Sequence, residues 1–225
     1  GDNNIALGTA AGDALTSGYD NVIMGRNAAS VLTTGHQNTL IGLNAGIAVN
    51  SGNFNTFIGR DSAYYATTTS QSVALGVNSG AGSTGNSNIG IGYGAMNKDA
   101  LTGDNNIAIG RSAGDALTSG FNNIAIGIQA FTRGTTSSEN VAIGNNALGQ
   151  DTYTSSGSVA IGYFALGDST SGATNIGIGY RAGKGVTTGY DNVIIGTNAG
   201  DALTSGKNNV LMGKDAGGAM TDNVN

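Results

Sequence analysis

The pentapeptide Asn123-Ile124-Ala125-Ile126-Gly127 decides the fold, because versions of it recur thirteen times along the 225-residue chain. Each version has Asn or Ser, a β-branched residue, a non-polar residue, an aliphatic residue or Met, and then Gly. Successive motif glycines are 16 to 18 residues apart, and most are 17 apart. A period held from end to end predicts a repeat architecture in which each unit packs on its neighbours. The motif glycines are Gly8, Gly25, Gly42, Gly59, Gly76, Gly92, Gly110, Gly127, Gly144, Gly162, Gly179, Gly196 and Gly213.

Positions counted from the motif Gly predict a strand that is apolar on both faces. Position −3 is always β-branched and position −1 is always aliphatic or Met, and residues two apart share one face of a strand. Position −2 points to the opposite face and is never polar. A strand with two apolar faces is covered on both sides. We therefore expect positions −3 and −1 to fill the coil, and another copy of the chain to cover position −2.

The rest of each repeat predicts a closed coil. Position +3 is Ala or Ser, position +7 is often Leu or Val, and a Thr/Ser-Gly turn usually follows. The Asn that precedes the strand either forms an amide ladder between coils or simply suits the turn, and both interpretations stay open. The sequence thus predicts an all-β parallel β-solenoid, or β-roll, of about 13 coils with a 17-residue repeat. Residues 1–225 are expected to form a single repeat array, taken from a longer fibre protein and starting and ending in mid-repeat.

Composition argues against several classes of function. The net charge is −5 and only 10% of residues are charged, which disfavours a nucleic-acid partner. No apolar run approaches the length of a membrane span, so we expect no membrane insertion in this segment. Cysteine is absent, His36 is the single histidine, and the Asp residues are spread along the array. We therefore expect no catalytic, cofactor-binding or metal-ligating residue, and no enzymatic activity.

Three stretches depart from the regular pattern: 60–70, 128–138 and 145–157. Irregular loops are where binding residues concentrate, so their side chains Tyr64, Tyr65, Arg133 and Tyr153 are the candidate ligand contacts. Position +1 forms a second candidate, because it carries several Tyr and Arg residues. That column either touches sugars or a neighbouring chain, or consists of scattered surface residues.

The repeat phrases are similar to those of a known class of fibrous proteins. Asn-Asn-Ile-Ala-Ile-Gly (105–110 and 122–127), Ser-Val-Ala-Ile-Gly (158–162) and Ala-Leu-Thr-Ser-Gly (14–18, 116–120 and 202–206) carry the resemblance. The chain resembles the head repeats of trimeric autotransporter adhesins and, more closely, the repeat arrays of phage and giant-virus tail-fibre proteins. The adhesin repeats are shorter than 17 residues, so viral and bacterial origins both stay open.

The resemblance implies a left-handed, homotrimeric β-roll whose small strand residue faces the threefold axis. The corresponding residues here are Ala108, Ala125, Ala142 and Ala160. It also implies a structural fibre segment, extracellular on a virion fibre or cell surface, that extends or displays an attachment tip. The alternative is an adhesin head module that itself binds a host-surface glycan or receptor.

Overall fold

The computed structural model describes residues 1–80, 84–97, 101–149 and 153–222, which form short β-strands joined by turns. The chain divides into two compact units, Gly1–Ser112 and Ala113–Asn225, here called unit 1 and unit 2. Unit 1 contains β1 (Ile5–Leu7), β2 (Val22–Met24), β3 (Thr39–Ile41), β4 (Thr56–Ile58), β5 (Val73–Leu75), β6 (Ile89–Ile91) and β7 (Ile107–Ile109). Unit 2 contains β8 (Ile124–Ile126), β9 (Val141–Ile143), β10 (Val159–Ile161), β11 (Ile176–Ile178), β12 (Val193–Ile195) and β13 (Val210–Met212).

Within each unit, every strand pairs in parallel with the strand of the next repeat. In unit 1, Thr39 pairs with Thr56, and in unit 2, Ala125 pairs with Ala142. Each pair joins residues about one repeat apart, so equivalent positions stack in columns. The prediction of an all-β parallel β-solenoid with a 17-residue repeat is confirmed.

The corners of each coil depend on left-handed backbone conformations at four fixed positions. Positions −5, 0, +2 and +4 have positive φ in all thirteen repeats; in one of them the residues are Asn122 (56°), Gly127 (133°), Gln129 (56°) and Phe131 (52°). The motif glycine has a second reason to be Gly. A Cβ atom on Gly127 would lie 2.6 Å from the carbonyl oxygen of Gly144 in the next coil. The glycine therefore permits both the turn and the close stacking of coils.

The two faces of each strand are the reverse of the sequence expectation. Position −2 fills the coil, whereas positions −3 and −1 point outward and stay partly exposed. The predicted trimer-axis residues are all 0% exposed within a single chain: Ala108, Ala125, Ala142 and Ala160. A side chain enclosed by its own coil cannot face an axis between chains, so that prediction is wrong. The small size of position −2 instead reflects the narrow interior that it shares with positions +3, +4 and +7.

Positions +4 and +7 fill this interior in a complementary way. Where position +4 is Gly114, position +7 supplies the buried anchor Leu117. One repeat later, buried Phe131 stands at +4 and Gly134 at +7. A Cβ on Gly134 would lie 2.2 Å from the Phe131 ring, so the two anchors occupy overlapping space. Close packing therefore allows one large side chain from this pair in each of these coils.

The Asn at position −4 forms a buried amide ladder, which decides between the two interpretations left open above. The Asn38 amide nitrogen donates to Asn21 Oδ1 at 3.0 Å and to the Gly52 carbonyl oxygen at 2.9 Å. Asn38 Oδ1 accepts from the backbone N–H of Asn55 at 2.9 Å and from its side-chain amide at 3.0 Å. One side chain thus satisfies polar groups in three successive coils, all shielded from water.

A neighbouring hydroxyl compensates where Ser replaces Asn in the ladder. Ser72 Oγ accepts the backbone N–H of Asn88 at 3.1 Å, but Ser72 has no amide to reach the next coil. The Thr69 hydroxyl lies 3.2 Å from Ser72 Oγ and donates to the Gly85 carbonyl oxygen, which is the ladder's usual acceptor position. The ladder therefore continues through a Ser–Thr pair.

Candidate functional site

The principal surface feature is the side of the sheet that points away from the coil. This outward apolar face consists of positions −3 and −1 of every strand, and it carries no charged side chain. Its residues are Ile5, Leu7, Val22, Met24, Thr39, Ile41, Thr56, Ile58, Val73, Leu75, Ile89, Ile91, Ile107 and Ile109 in unit 1, and Ile124, Ile126, Val141, Ile143, Val159, Ile161, Ile176, Ile178, Val193, Ile195, Val210 and Met212 in unit 2. Ile58 keeps 39% of its surface exposed even between two paired strands. Within each unit, a contiguous aliphatic surface of this kind marks an interaction site.

Two threonines are the only polar side chains on this face. Thr39 and Thr56 occupy position −3 of the adjacent strands β3 and β4 and pair in register. Within the part of the chain that the structure describes, neither hydroxyl has a hydrogen-bond partner. Thr16 and Thr33 differ, because their hydroxyls donate to backbone oxygens of the next coil at 3.0 Å and 3.2 Å. The two hydroxyls on the apolar face are therefore available to a partner.

Position +1 borders the face and presents aromatic and basic side chains. Tyr93, Tyr163 and Tyr180 are 59%, 40% and 45% exposed. The rings of Tyr163 and Tyr180 stack with their centroids 5.2 Å apart, and the Arg181 guanidinium lies 5.2 Å from the Tyr180 ring centroid. This arrangement supports the interpretation of position +1 as an outward column.

The predicted loop contacts are divided between the two units. Tyr65 is 46% exposed, and half-buried Tyr64 packs edge-on against it with ring centroids 4.9 Å apart. Both lie in unit 1, whereas Arg133, which is exposed, lies in unit 2. A ligand-contact role for these three residues stays a prediction. Residues 150–152 of the irregular stretch 145–157 lie outside the described residues.

Tyr153 is buried, so the prediction that it contacts a ligand is wrong. Its side chain is 0% exposed, and its hydroxyl lies 2.8 Å from Ser158 Oγ and 3.3 Å from the Gly172 carbonyl oxygen. Ser158 is the second Ser of the ladder, and the Tyr153 hydroxyl reaches the carbonyl that an Asn amide would otherwise bind. Burial raises the pKa of Tyr153 to about 12, which keeps the hydroxyl a hydrogen-bond donor at neutral pH.

The remaining polar side chains do not converge. Within residues 1–80, 84–97, 101–149 and 153–222, no group of three or more His, Cys, Asp or Glu residues is placed to hold a metal ion. His36, the single histidine of the sequence, stacks on Tyr19 with ring centroids 4.6 Å apart. The same residues contain no helix with the length and hydrophobicity of a membrane span.

Comparison of the sequence with protein-family models gives no match, and comparison with curated proteins gives none either.

Proposed function

We propose that the chain is a structural fibre segment in which three copies associate through the outward apolar face. In this role the segment extends or displays an attachment tip, as part of a viral tail fibre or a surface fibre shaft outside the cell. The observation that carries the proposal is the face itself, because its aliphatic side chains repeat on every strand and its charge is zero. The resemblance to trimeric fibre families supplies the number of copies.

The outward side chains supply the free energy of association, since the coil already encloses position −2. Covering a half-exposed aliphatic side chain contributes roughly 1 kcal/mol, about half the value for complete burial. Such side chains recur on all thirteen strands, so a long fibre gains association energy in proportion to its length. Partner copies also shield a surface that would otherwise promote non-specific aggregation.

A second candidate function is an adhesin head module that binds a host-surface glycan or receptor directly. The stacked pair Tyr163 and Tyr180, with Arg181 beside it, favours this alternative. Exposed aromatic rings supply flat apolar area with a polar edge, which suits sugars. Glycan-array binding by the purified chain, lost on Tyr163→Ala and Tyr180→Ala, would support the adhesin function over a purely structural one.

The test of the fibre proposal compares two adjacent residues on opposite faces of β8. Ile126→Asp places a charge on the outward face, where a folded single chain tolerates it but an assembled trimer does not. Ala125→Asp places the same charge inside the coil, where it has no space and no counter-charge. We expect Ile126→Asp to give a folded monomer by circular dichroism and light scattering, and Ala125→Asp to unfold the coil. Association that is unchanged by Ile126→Asp would contradict the proposal.

A further inference from the structure

We propose that the copies associate in parallel and in register, with opposite charges of unit 1 meeting across each interface. In this arrangement Arg26 of one copy faces Asp20 of the next copy. Arg111 of one copy faces Asp104 of the next in the same way. The inference rests on the proposed self-association and specifies the orientation and alignment of the partner.

The first observation is a basic border along one side of the outward apolar face in unit 1. Position +1 carries Arg26, Arg60 and Arg111 there, and no acidic residue. Arg60 Nε lies 3.4 Å from Asp61 Oδ2 of the same chain. Arg26 and Arg111 are exposed and, among the described residues, have no ion pair. These two cations are available to another copy.

The second observation is an acidic border along the other side of the same face. In unit 1, positions −6 and −5 carry Asp2, Asp20 and Asp104, all exposed, and neither Lys nor Arg. Asp20 lies in the same repeat as Arg26, and Asp104 in the same repeat as Arg111. Among the described residues, no ion pair joins the members of either pair within one copy.

The symmetry of association determines which borders meet. Rotation about an axis parallel to the stack of strands brings the basic border of one copy against the acidic border of the next. Reversing one copy instead brings two basic borders together and two acidic borders together, which is repulsive. Cyclic association of parallel copies is therefore favoured. Exact register then places an Arg beside an Asp in the two repeats of unit 1 that carry both charges.

The two threonines on the apolar face support the same alignment independently. Thr39 and Thr56 have no hydrogen-bond partner in the described chain, and they occupy adjacent strands. Parallel copies in register bring the hydroxyls of successive chains together, where they satisfy one another. A shift by several strands would bury each hydroxyl against Ile or Val, which penalises misaligned assemblies.

Charge reversal on each border tests the proposal. One variant carries Arg26→Asp and Arg111→Asp, a second carries Asp20→Arg and Asp104→Arg, and a third combines all four changes. Arg is compatible with the left-handed backbone of Asp20 (φ 54°), since Arg181 has φ 55° in this chain. A matched control reverses Asp13 and Asp201, which are exposed at position +5, away from both borders. Sedimentation velocity over a concentration series measures association, and circular dichroism checks the fold.

Each single-border variant should dissociate at a protein concentration at least about tenfold above that of the wild type, because two attractions become repulsions at every interface. The four-change variant should associate almost as tightly as the wild type, and the control should associate as tightly as the wild type. Antiparallel copies would keep like charges in contact after either border is reversed, so single-border variants that associate as tightly as the wild type would overturn the proposal. Equal association of all variants would refute the charge pairing while leaving self-association intact. A monomeric wild type would overturn both this inference and the proposed function.

Discussion

Replacing Asn38 by Ala tests whether the buried amide ladder holds successive coils together. The substitution removes four hydrogen bonds, but two of the groups involved keep another partner. Asn21 Oδ1 still accepts the Asn38 backbone N–H at 3.0 Å, and the Asn55 amide still donates to the Thr69 carbonyl oxygen at 2.8 Å. The groups left without a partner are the Gly52 carbonyl and the Asn55 backbone N–H.

Two buried polar groups without partners cost about 1–3 kcal/mol each, so Asn38→Ala should lower the free energy of unfolding by roughly 2–6 kcal/mol. Asn38→Ser should lower it by about half as much, since a hydroxyl can accept the Asn55 N–H as Ser72 does for Asn88. Urea denaturation at a fixed protein concentration measures both values, because association also stabilises the fold. Thr34→Ala, at an exposed position of the same coil, is the control and should stay within about 0.5 kcal/mol of the wild type. Equal stabilities of Asn38→Ala and Thr34→Ala would refute the ladder as a source of stability.

Three further substitutions test the corners, the interior and the Ser rung of the ladder. Tyr153→Phe should lower stability at neutral pH by about 1–3 kcal/mol. It should also abolish a loss of stability at alkaline pH. Burial raises the pKa of Tyr153 in the folded state to about 12, above the ordinary value near 10. The free energy of unfolding of the wild type therefore falls by roughly 3 kcal/mol as pH rises from about 10 to about 12. An alkaline titration of stability that is the same with and without the hydroxyl would argue against this cause. Gly127→Ala should lower the thermal midpoint markedly, because residue 127 has φ 133° and the added methyl would lie 2.6 Å from the Gly144 carbonyl oxygen. An unchanged midpoint would show that neighbouring coils can move apart at this position without loss of stability. Phe131→Ala should lower the free energy of unfolding by about 3–5 kcal/mol, and adding Gly134→Leu should restore part of this stability in a thermal melt. If the second change destabilises the protein further, positions +4 and +7 do not exchange the large buried side chain.

The architecture was accessible from the sequence because every coil repeats the same local solution. The motif Gly, the β-branched residue at −3 and the fixed period together predict a parallel strand in each repeat. The ladder was one of two open interpretations, since an Asn before a strand satisfies turn geometry equally well. Only the stacking of coils, with Asn38 bound to Asn21, decides between them.

The orientation of the strand was not accessible from alternation alone, because both of its faces are apolar. Alternation separates the two sets of residues but does not say which set is enclosed. The sizes of the residues at positions −2, +4 and +7 do indicate which set is enclosed, because a large residue at one position occurs with small residues at another. Phe57 at position −2 occurs with Ala63 and Ala66 at +4 and +7, whereas Ala125 at −2 occurs with Phe131 at +4. Residues that exchange volume in this way share one core.

Tyr153 shows why a break in the period misleads. An 18-residue gap precedes Gly162, so the Tyr has no counterpart in the regular repeats and resembles an exposed loop residue. In the structure it replaces the missing amide of Ser158. The irregular sequence here therefore reflects a different side chain completing the ladder. It does not by itself indicate a binding loop.

The molar mass of the folded chain in solution tests the central claim most directly. Multi-angle light scattering on the wild type should give about 66 kDa, three times the 22.1 kDa of one chain. Ile126→Asp should give about 22 kDa with an unchanged circular dichroism spectrum. A wild-type mass of 22.1 kDa at micromolar concentration, with the fold intact, would contradict association through the outward apolar face.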